Sequence, residues 1–187
     1  MKRIAIFISG SGTNMVALTK AIHEHKLQAE LVEIICDNPK AKGIQKAKDL
    51  GLNIRLIEWK EESILILIND LKAKHIDYII LAGFMRIIPS YFVDAFAKHI
   101  INIHPSLLPK YKGLNAIERS YEAGDDKVGI SIHYVDNGID TGPLIAQFST
   151  PRLPHDSLKD IEAKIHQLEH HHYYQTLQTI FTKETSS

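Results

Sequence analysis

The hydrophobic positions of this chain alternate between short continuous runs and longer stretches in which apolar residues recur every three or four positions. The short runs are rich in isoleucine, which is typical of buried strands. The spaced residues, such as Met15, Leu18 and Ile22, are typical of amphipathic helices. This alternation predicts parallel strands with helices on both faces, a Rossmann-like doubly wound α/β fold. The predicted parallel strands are Ile4–Ile8, Leu31–Cys36, Ile54–Ile57, Tyr78–Ala82 and Ile100–His104.

The pattern changes after Pro109. Two apolar segments, Val128–Val135 and Pro143–Ser149, follow each other with no helix between them, and a loop rich in Gly and Asp joins them. Consecutive strands with a short connection pair in antiparallel fashion, so we expect an antiparallel addition to a mostly parallel sheet. Apolar residues at helical spacing from Leu158 to Leu168 then predict a long C-terminal helix.

Composition limits the classes of function that fit this sequence. With 187 residues, 44% hydrophobic and 24% charged, the chain suits a single domain, 1–187, with a full core. Its formal net charge of zero gives no basic surplus for nucleic acid, and no apolar run is long enough to span a membrane. The single cysteine, Cys36, favours a reducing compartment, so we expect a cytoplasmic protein; residues 184–187 are expected to form a frayed tail.

A glycine turn from Gly10 to Asn14, with the sequence GSGTN, lies between the first predicted strand and the first helix. The backbone N–H groups of such a turn, together with the helix N-terminus, are suited to a phosphate. Met15 replaces the third glycine of the dinucleotide-binding pattern G-x-G-x-x-G, although Asp37 lies where a ribose-binding acid would be expected. We therefore interpret the turn as a monophosphate site and keep an NAD(P)-dependent oxidoreductase as the alternative.

Two polar residues occur in the last predicted parallel strand. Asn102 and His104 are two positions apart, so they share one face of the strand, and Pro105 ends it. Open α/β sheets bind their ligands at the carboxyl ends of their strands. Asp140, in the Gly/Asp loop, could fold over this strand end, hold the ring of His104 and keep it partly protonated near neutral pH. We expect these three side chains to be catalytic.

Two other patterns in the sequence suggest alternative catalytic sites. The segment from His166 to His170 matches H-x-x-E-H, in which some zinc peptidases carry two metal ligands and a base. Its histidines share a helical face, but no third ligand is evident, so we predict no metal site. Ser106 could belong to a serine hydrolase with His104, but no G-x-S-x-G elbow surrounds it.

Five segments of the chain together resemble the phosphoribosylglycinamide formyltransferases, which belong to the 10-formyltetrahydrofolate-dependent enzymes. The segments occur in the family's order across almost the whole chain. The resemblance implies a Rossmann-like fold and transfer of a formyl group from the co-substrate 10-formyltetrahydrofolate to the amine of glycinamide ribonucleotide, in purine biosynthesis. The segments are Ile8–Asn14, Leu81–Ile88, Asn102–Pro109, Ser131–Val135 and Asp140–Pro143.

The resemblance also implies roles for individual residues, which fall into three groups. The phosphorylated substrate would contact Gly12, Thr13, Asn14 and Glu169. The residues acting on the reacting groups would be Asn102, His104 and Asp140. The folate would contact Met85, Arg86, Ile87, Ile88, Asn102, Asp136 and Asp140, with Lys60 as the nearest candidate for a further contact.

The implied partners are small molecules, with no nucleic acid and no membrane, and the chain is expected to be a monomer or a homodimer. Three classes of function stay in view at this point. The transferase is favoured; the others are the NAD(P)-dependent oxidoreductase and a non-catalytic nucleotide or folate binder. Within the folate enzymes, another user of 10-formyltetrahydrofolate, such as a hydrolase, is a further alternative.

Overall fold

The computed structural model describes residues 1–185, which form one mixed seven-stranded sheet with helices packed on both faces. The strands are β1 (Lys2–Ile8), β2 (Ala29–Cys36), β3 (Ile54–Leu56), β4 (Tyr78–Leu81), β5 (Ile100–His104), β6 (Lys127–Tyr134) and β7 (Leu144–Pro151). The helices are α1 (Thr13–His23), α2 (Lys42–Asp49), α3 (Glu61–Ala73), α4 (Ser90–Ala95), α5 (Ala116–Glu122) and α6 (Leu158–Thr185).

The strands lie in the order β3-β2-β1-β4-β5-β6-β7. The first five strands of the chain are parallel to one another, whereas β6 is antiparallel to β5 and to β7. Both the doubly wound parallel sheet and its antiparallel addition are therefore confirmed. The strand β2 begins two residues earlier than predicted, because Ala29 and Glu30 pair with the first residues of β1.

The core has two parts because the central strands are covered on both faces. Along β1, the side chains of Ile4, Ile6 and Ile8 belong to a cluster shared with α1 and α6. Ala5 and Phe7 alternate with them and belong to a second cluster shared with α3 and α4. Side chains alternate between the faces of a strand, so a continuous apolar run such as β1 fits only the middle of a doubly covered sheet.

The long helix α6 is hydrogen-bonded to the sheet near the carboxyl ends of β4 and β5. The hydroxyl of Tyr173 donates to the carbonyl oxygens of Leu81 and Ile101, at 2.9 and 3.1 Å, near the carboxyl ends of β4 and β5. The helix is continuous over 28 residues and includes residues 184 and 185 of the predicted tail, while Ser186 and Ser187 lie outside the described residues. None of the helices in residues 1–185 is long and apolar enough to cross a membrane.

Candidate active site

The predicted catalytic residues of β5 lie where this strand pairs with β6. Asn102 and His104 are two positions apart on the strand, and the antiparallel register places His133 opposite Asn102. His104 is buried, and Asn102 is half-buried. The two side chains therefore meet a third polar side chain from the neighbouring strand in a largely enclosed environment.

Asp140 brings the loop between β6 and β7 over this strand end, as the sequence predicted. Its Oδ2 atom lies 3.3 Å from Nδ1 of His104 and accepts a 2.8 Å hydrogen bond from the N–H of Gly113. Its Oδ1 atom lies 3.4 Å from both Nδ2 of Asn102 and Nε2 of His133. Burial acts to raise the pKa of Asp140, but the hydrogen bonds and the nearby imidazoles together hold that pKa below its usual value. An ionised carboxylate therefore lies at the centre of the cluster.

The expectation that Asp140 keeps His104 partly protonated near neutral pH is wrong. Burial lowers the pKa of His104, and it outweighs the charge of Asp140 and the hydrogen bond with the carbonyl of Tyr111, which both raise the pKa. Each ring nitrogen nevertheless faces an acceptor, since Nε2 lies 2.9 Å from the Tyr111 oxygen and Nδ1 faces Asp140. The ring is thus mostly neutral at rest but is placed among acceptors that stabilise the charged form when it appears.

His133 is a site residue that the sequence reasoning did not identify. Its Nδ1 lies 2.8 Å from the carbonyl oxygen of Tyr134, which places the proton of the neutral ring on Nδ1. The other nitrogen, Nε2, can then accept a hydrogen bond from Nδ2 of Asn102 at 3.1 Å. His133 thereby orients the amide of Asn102. The signal in the sequence was a histidine within a mostly apolar strand, but its partner could not be inferred from that pattern.

The glycine turn precedes α1, as predicted. Gly12 has a φ of 68°, and a Cβ atom there would lie 2.8 Å from Cα of Gly43, so both the backbone conformation and the close approach require glycine. No side chain caps the first N–H groups of α1, which are therefore available to a ligand. Asn14 is buried, and its Oδ1 makes no hydrogen bond within residues 1–185. The turn offers donors suited to an anion beside the carboxyl end of β1.

A cavity of about 510 Å³ opens beside the cluster formed by Asn102, His104, His133 and Asp140. On one side it is bounded by the segment 83–88, in which Met85 and Ile87 are 64% and 71% exposed although both are apolar. An apolar pocket wall with a few convergent polar groups is typical of a small-molecule site. The predicted folate contacts that line the cavity are Met85, Arg86, Ile87, Ile88, Asn102, Asp136 and Asp140.

Asp136 shapes the opposite wall of the cavity. Its Oδ1 accepts hydrogen bonds from the hydroxyl of Thr141 at 2.7 Å and from the N–H of Gly138 at 3.0 Å. The Thr141 hydroxyl is the main cause that lowers the pKa of Asp136. The side chain therefore fixes the turn that carries Asp140.

Comparison with known families identifies the chain. The sequence profile of the formyl transferase family matches residues 2–177. The chain belongs to this family. Among curated relatives, a phosphoribosylglycinamide formyltransferase of Bacillus subtilis is 39% identical over 92% of this chain and 91% of that protein. The Haemophilus influenzae protein of that name is 36% identical over 92% of this chain and 84% of its own length. The chain is therefore a phosphoribosylglycinamide formyltransferase homologue within the formyl transferases.

Solved structures agree with this assignment. The phosphoribosylglycinamide formyltransferase of Bacillus halodurans superposes with a TM-score of 0.92 at 38% identity, over 98% of this chain and 97% of the other. Glycinamide ribonucleotide transformylase 1 of Geobacillus kaustophilus gives a TM-score of 0.91 at 39% identity, over 96% of this chain and 98% of the other. The fold of this formyl transferase is thus that of its solved relatives.

Five predicted contacts of the formyl transferase are not among the described residues that line the cavity: Gly12, Thr13 and Asn14 of the glycine turn, Lys60 and Glu169. Glu169 of α6 is buried and lies 2.9 Å from Nδ1 of His166, and this hydrogen bond raises the pKa of His166. Lys60 pairs with Glu58 at 2.8 Å and is not among the described residues that line the cavity. Glu169 stays a predicted contact of the ribonucleotide, and Lys60 stays a candidate contact of the folate.

The residues named in the alternative hypotheses have the following surroundings in the fold. Within residues 1–185 no group of three or more His, Cys, Asp or Glu side chains is placed to hold a metal ion. The hydroxyl of Ser106 donates to the carbonyl of Lys110 at 2.6 Å, on a buried side chain, so it is not poised as a nucleophile. Asp37 accepts a 2.5 Å hydrogen bond from Ser9 and its side chain is 3% exposed, so it cannot serve as the ribose-binding acid of a dinucleotide site.

Proposed function

We propose that this chain transfers the formyl group of 10-formyltetrahydrofolate to the amine of glycinamide ribonucleotide, the reaction of purine synthesis that its relatives' names describe. The observation that carries the proposal is the convergence of Asn102, His104 and Asp140 on one cavity. A transfer between two small molecules needs a site for each and reacting groups between them. Strands β1, β4 and β5 are neighbours in the sheet, and their ends would carry the ribonucleotide site, the folate site and the reacting groups, respectively.

The ribonucleotide would bind at the end of β1. Its phosphate would take the uncapped N–H groups at Gly12, Thr13 and Asn14, because a helix N-terminus favours an anion. Glu169 on α6 would accept hydrogen bonds from the hydroxyl or amine groups of the same substrate, since its carboxylate is an acceptor with two oxygens. These contacts fix the substrate amine relative to the catalytic cluster.

The folate would fill the cavity. Its pterin ring is flat and largely apolar on its faces, which suits the slot made by Met85, Ile87 and Ile88. Polar groups at the edge of the ring would pair with the backbone of the segment 83–88 and of the loop 136–140. Arg86 would contribute through its backbone, because its side chain is paired with Asp37.

The reaction would proceed by direct attack of the substrate amine on the formyl carbon. His104 would take up the proton that the amine loses on a ring nitrogen that turns from its acceptor, Asp140 or the Tyr111 carbonyl, toward the substrate, and the other acceptor would stabilise the charged ring. The same proton is delivered to N10 of the folate, directly or through water, as the bond from the formyl carbon to N10 breaks. The transfer needs no covalent enzyme intermediate and no metal.

Asn102 would stabilise the negative oxygen of the tetrahedral intermediate. Its Nδ2 donates to His133 at 3.1 Å, while its contact with Asp140 is long at 3.4 Å and therefore weak. The N–H of Asn102 that points toward Asp140 is therefore the one that can turn to the oxyanion. A single donor of this kind contributes about 2.7–4 kcal/mol to transition-state stabilisation.

The test mixes purified protein with both substrates and follows the absorbance of the folate. We expect tetrahydrofolate to form at a rate that depends on glycinamide ribonucleotide. Folate turnover without the ribonucleotide would instead identify a hydrolase, and folate binding without turnover would identify a non-catalytic binder. Titration with NADH is the control for the oxidoreductase, for which we expect no saturable binding. We further propose that small molecules are the partners of the enzyme and that it acts in the cytoplasm as a monomer or homodimer.

A further inference from the structure

One buried carboxylate joins the glycine turn to the cavity wall. Asp37 follows β2, and its side chain is 3% exposed. Its Oδ1 accepts a hydrogen bond from the hydroxyl of Ser9 at 2.5 Å, and its Oδ2 pairs with Nε of Arg86 at 2.5 Å. Ser9 directly precedes the glycine turn, whereas Arg86 belongs to the segment 83–88. The carboxylate therefore connects the ends of β1, β2 and β4.

The same network also fixes the backbone of the cavity wall. The hydroxyl of Ser9 accepts a 2.8 Å hydrogen bond from the N–H of Met85 while it donates to Asp37. Two consecutive residues, Met85 and Arg86, are thus held by one carboxylate, the first through a hydroxyl and the second directly. The backbone of Ser9 has further partners in Gly83 and Asn38, so the glycine turn does not depend on Asp37 alone.

The other side of the segment 83–88 is held differently. The indole N–H of Trp59 donates to the carbonyl of Ile87 at 3.1 Å, and its ring packs edge-on against Phe84 at 4.8 Å. This aromatic contact holds the side of the segment that faces α3. Met85 and Ile87 are largely exposed and line the cavity, so Met85 and Arg86 are held mainly by their polar contacts with Ser9 and Asp37.

We propose that Asp37 is a positioning residue for the formyl donor, acting through Ser9 and Arg86 to hold the segment 83–88 in the shape that the folate requires. Asp37 itself is not among the described residues that line the cavity. The inference rests on the proposed function, because it takes the cavity as the site of the folate. It assigns a role in binding to a residue that the glycine-turn pattern would assign to ribose.

The test compares Asp37→Ala with the wild-type enzyme in steady-state kinetics for each substrate. We expect KM for 10-formyltetrahydrofolate to rise about tenfold, as the loss of charge-assisted hydrogen bonds permits, with kcat and KM for the ribonucleotide within about threefold of wild type. Ser9→Ala removes only the link to Met85 and should give a smaller rise in the same constant. In the double variant Asp37→Ala/Arg86→Ala, KM for the folate should be little higher than in the more affected single variant, because both substitutions break the same pair.

The matched control is Glu30→Ala. Glu30 pairs with Arg3 at 2.5 Å between the same two strands, β1 and β2, but at their opposite ends. We expect both KM values to stay at the wild-type level in this variant. A melting temperature measured for each variant separates a loss of folded protein, which lowers kcat alone, from a loss of positioning, which raises one KM. Asp37→Asn, which keeps the shape of the side chain, serves if Asp37→Ala does not fold.

A folded Asp37 variant with an unchanged KM for the folate would overturn the proposal, as would a fall in kcat alone. Affinity for tetrahydrofolate, measured by calorimetry, gives the same comparison without turnover. Wild-type protein that binds tetrahydrofolate but transfers no formyl group would defeat the proposed function, and the ratio of the two dissociation constants would still decide the role of Asp37. Wild-type protein that binds no folate would defeat both.

Discussion

Two histidine–carboxylate pairs in this molecule have opposite effects on their imidazoles. His104 lies 3.3 Å from Asp140 with a side chain 7% exposed, and His166 lies 2.9 Å from Glu169 with a side chain 45% exposed. Burial dominates in the first pair and lowers the pKa of His104, whereas the hydrogen bond dominates in the second and raises the pKa of His166. A carboxylate neighbour therefore does not by itself predict a charged histidine, because the cost of burying the charge can be larger.

The opposite pKa shifts of the two histidines suit two different roles. A mostly neutral ring near neutral pH can accept a proton from an attacking amine, as we propose for His104. A ring whose charged form is favoured is suited to holding a neighbouring carboxylate in place, as His166 holds Glu169. The predictions below test whether the buried pair carries the chemistry and the helical pair carries substrate binding.

The largest effect is expected when the buried pair of His104 and Asp140 is broken. His104→Ala removes the proton carrier and should lower kcat by about 10²–10⁴-fold with little change in folate affinity. His166→Ala, the matched change in the other pair, should leave kcat within about threefold. Steady-state kinetics with both substrates saturating checks this prediction, and normal turnover by the His104 variant would remove this residue from the chemistry.

A smaller effect is expected from Asp140→Asn. The charge of Asp140 raises the pKa of His104 against the effect of burial, so its removal should lower that pKa further. The acidic limb of the pH–kcat profile should then move to lower pH, and kcat should fall about 10–100-fold as the charged ring loses its partner. An acidic limb that stays in place would argue against coupling between the two residues.

The helical pair should affect binding of one substrate. Glu169→Gln keeps the shape of the side chain but removes its charge, and KM for glycinamide ribonucleotide should rise about tenfold, the loss expected for a charge-assisted hydrogen bond. KM for the folate and kcat should change by less than about threefold. Equal changes in both KM values would show that Glu169 does not distinguish the two substrates.

The smallest effect concerns stability and depends on pH. Because the pKa of His166 is raised in the folded protein, its pairing stabilises the fold fully below the unfolded value of about 6.5 and the benefit is lost as pH rises through the folded pKa. His166→Gln should therefore lower the melting temperature by about 1–3 °C at pH 5.5 and by less at pH 8.5. An equal loss at both values would mean that the charged form is not what stabilises the fold.

The buried pair has the opposite linkage. The pKa of His104 is lowered on folding, so protonation below pH of about 6.5 favours the unfolded chain and the folded enzyme loses stability as pH falls. The two histidines therefore act on opposite sides of the unfolded pKa: the contribution of His166 is lost as pH rises above about 6.5, and that of His104 is lost as pH falls below about 6.5. Replacing His166 should reduce the loss of melting temperature at high pH, whereas replacing His104 should reduce the loss at low pH.

The sequence contained enough information for the sheet and for part of the site. Periodicity alone separates the parallel strands from the antiparallel addition, and the spacing of Asn102 and His104 places them on one face. The orientation of Asn102 by His133 depends on a cross-strand register that no local pattern specifies. The pairing of Asp37 with Arg86 joins positions 49 residues apart, so the sequence shows only that Asp37 follows the second strand, the position of the acid in dinucleotide-binding proteins.

The pKa of His104 could not be read from the sequence for a related reason. The direction in which the pKa of His104 is shifted depends on how much of the ring is buried. That burial depends on Tyr111 and Gly113, which lie over the strand end. The sequence shows the carboxylate that raises the pKa but not the enclosure that lowers it. The chemistry of a site can thus be inferred from its residues, while the protonation state needs the fold.

In the proposed reaction, the site takes a formyl group from a folate bound in one cavity and passes it to an amine. The most direct test supplies 10-formyltetrahydrofolate with a ¹³C-labelled formyl group, together with glycinamide ribonucleotide, and locates the label by NMR. We expect the labelled carbon to be bonded to the former amine nitrogen of the ribonucleotide, at a rate that depends on His104. Label released as formate, or retained on the folate, would contradict it.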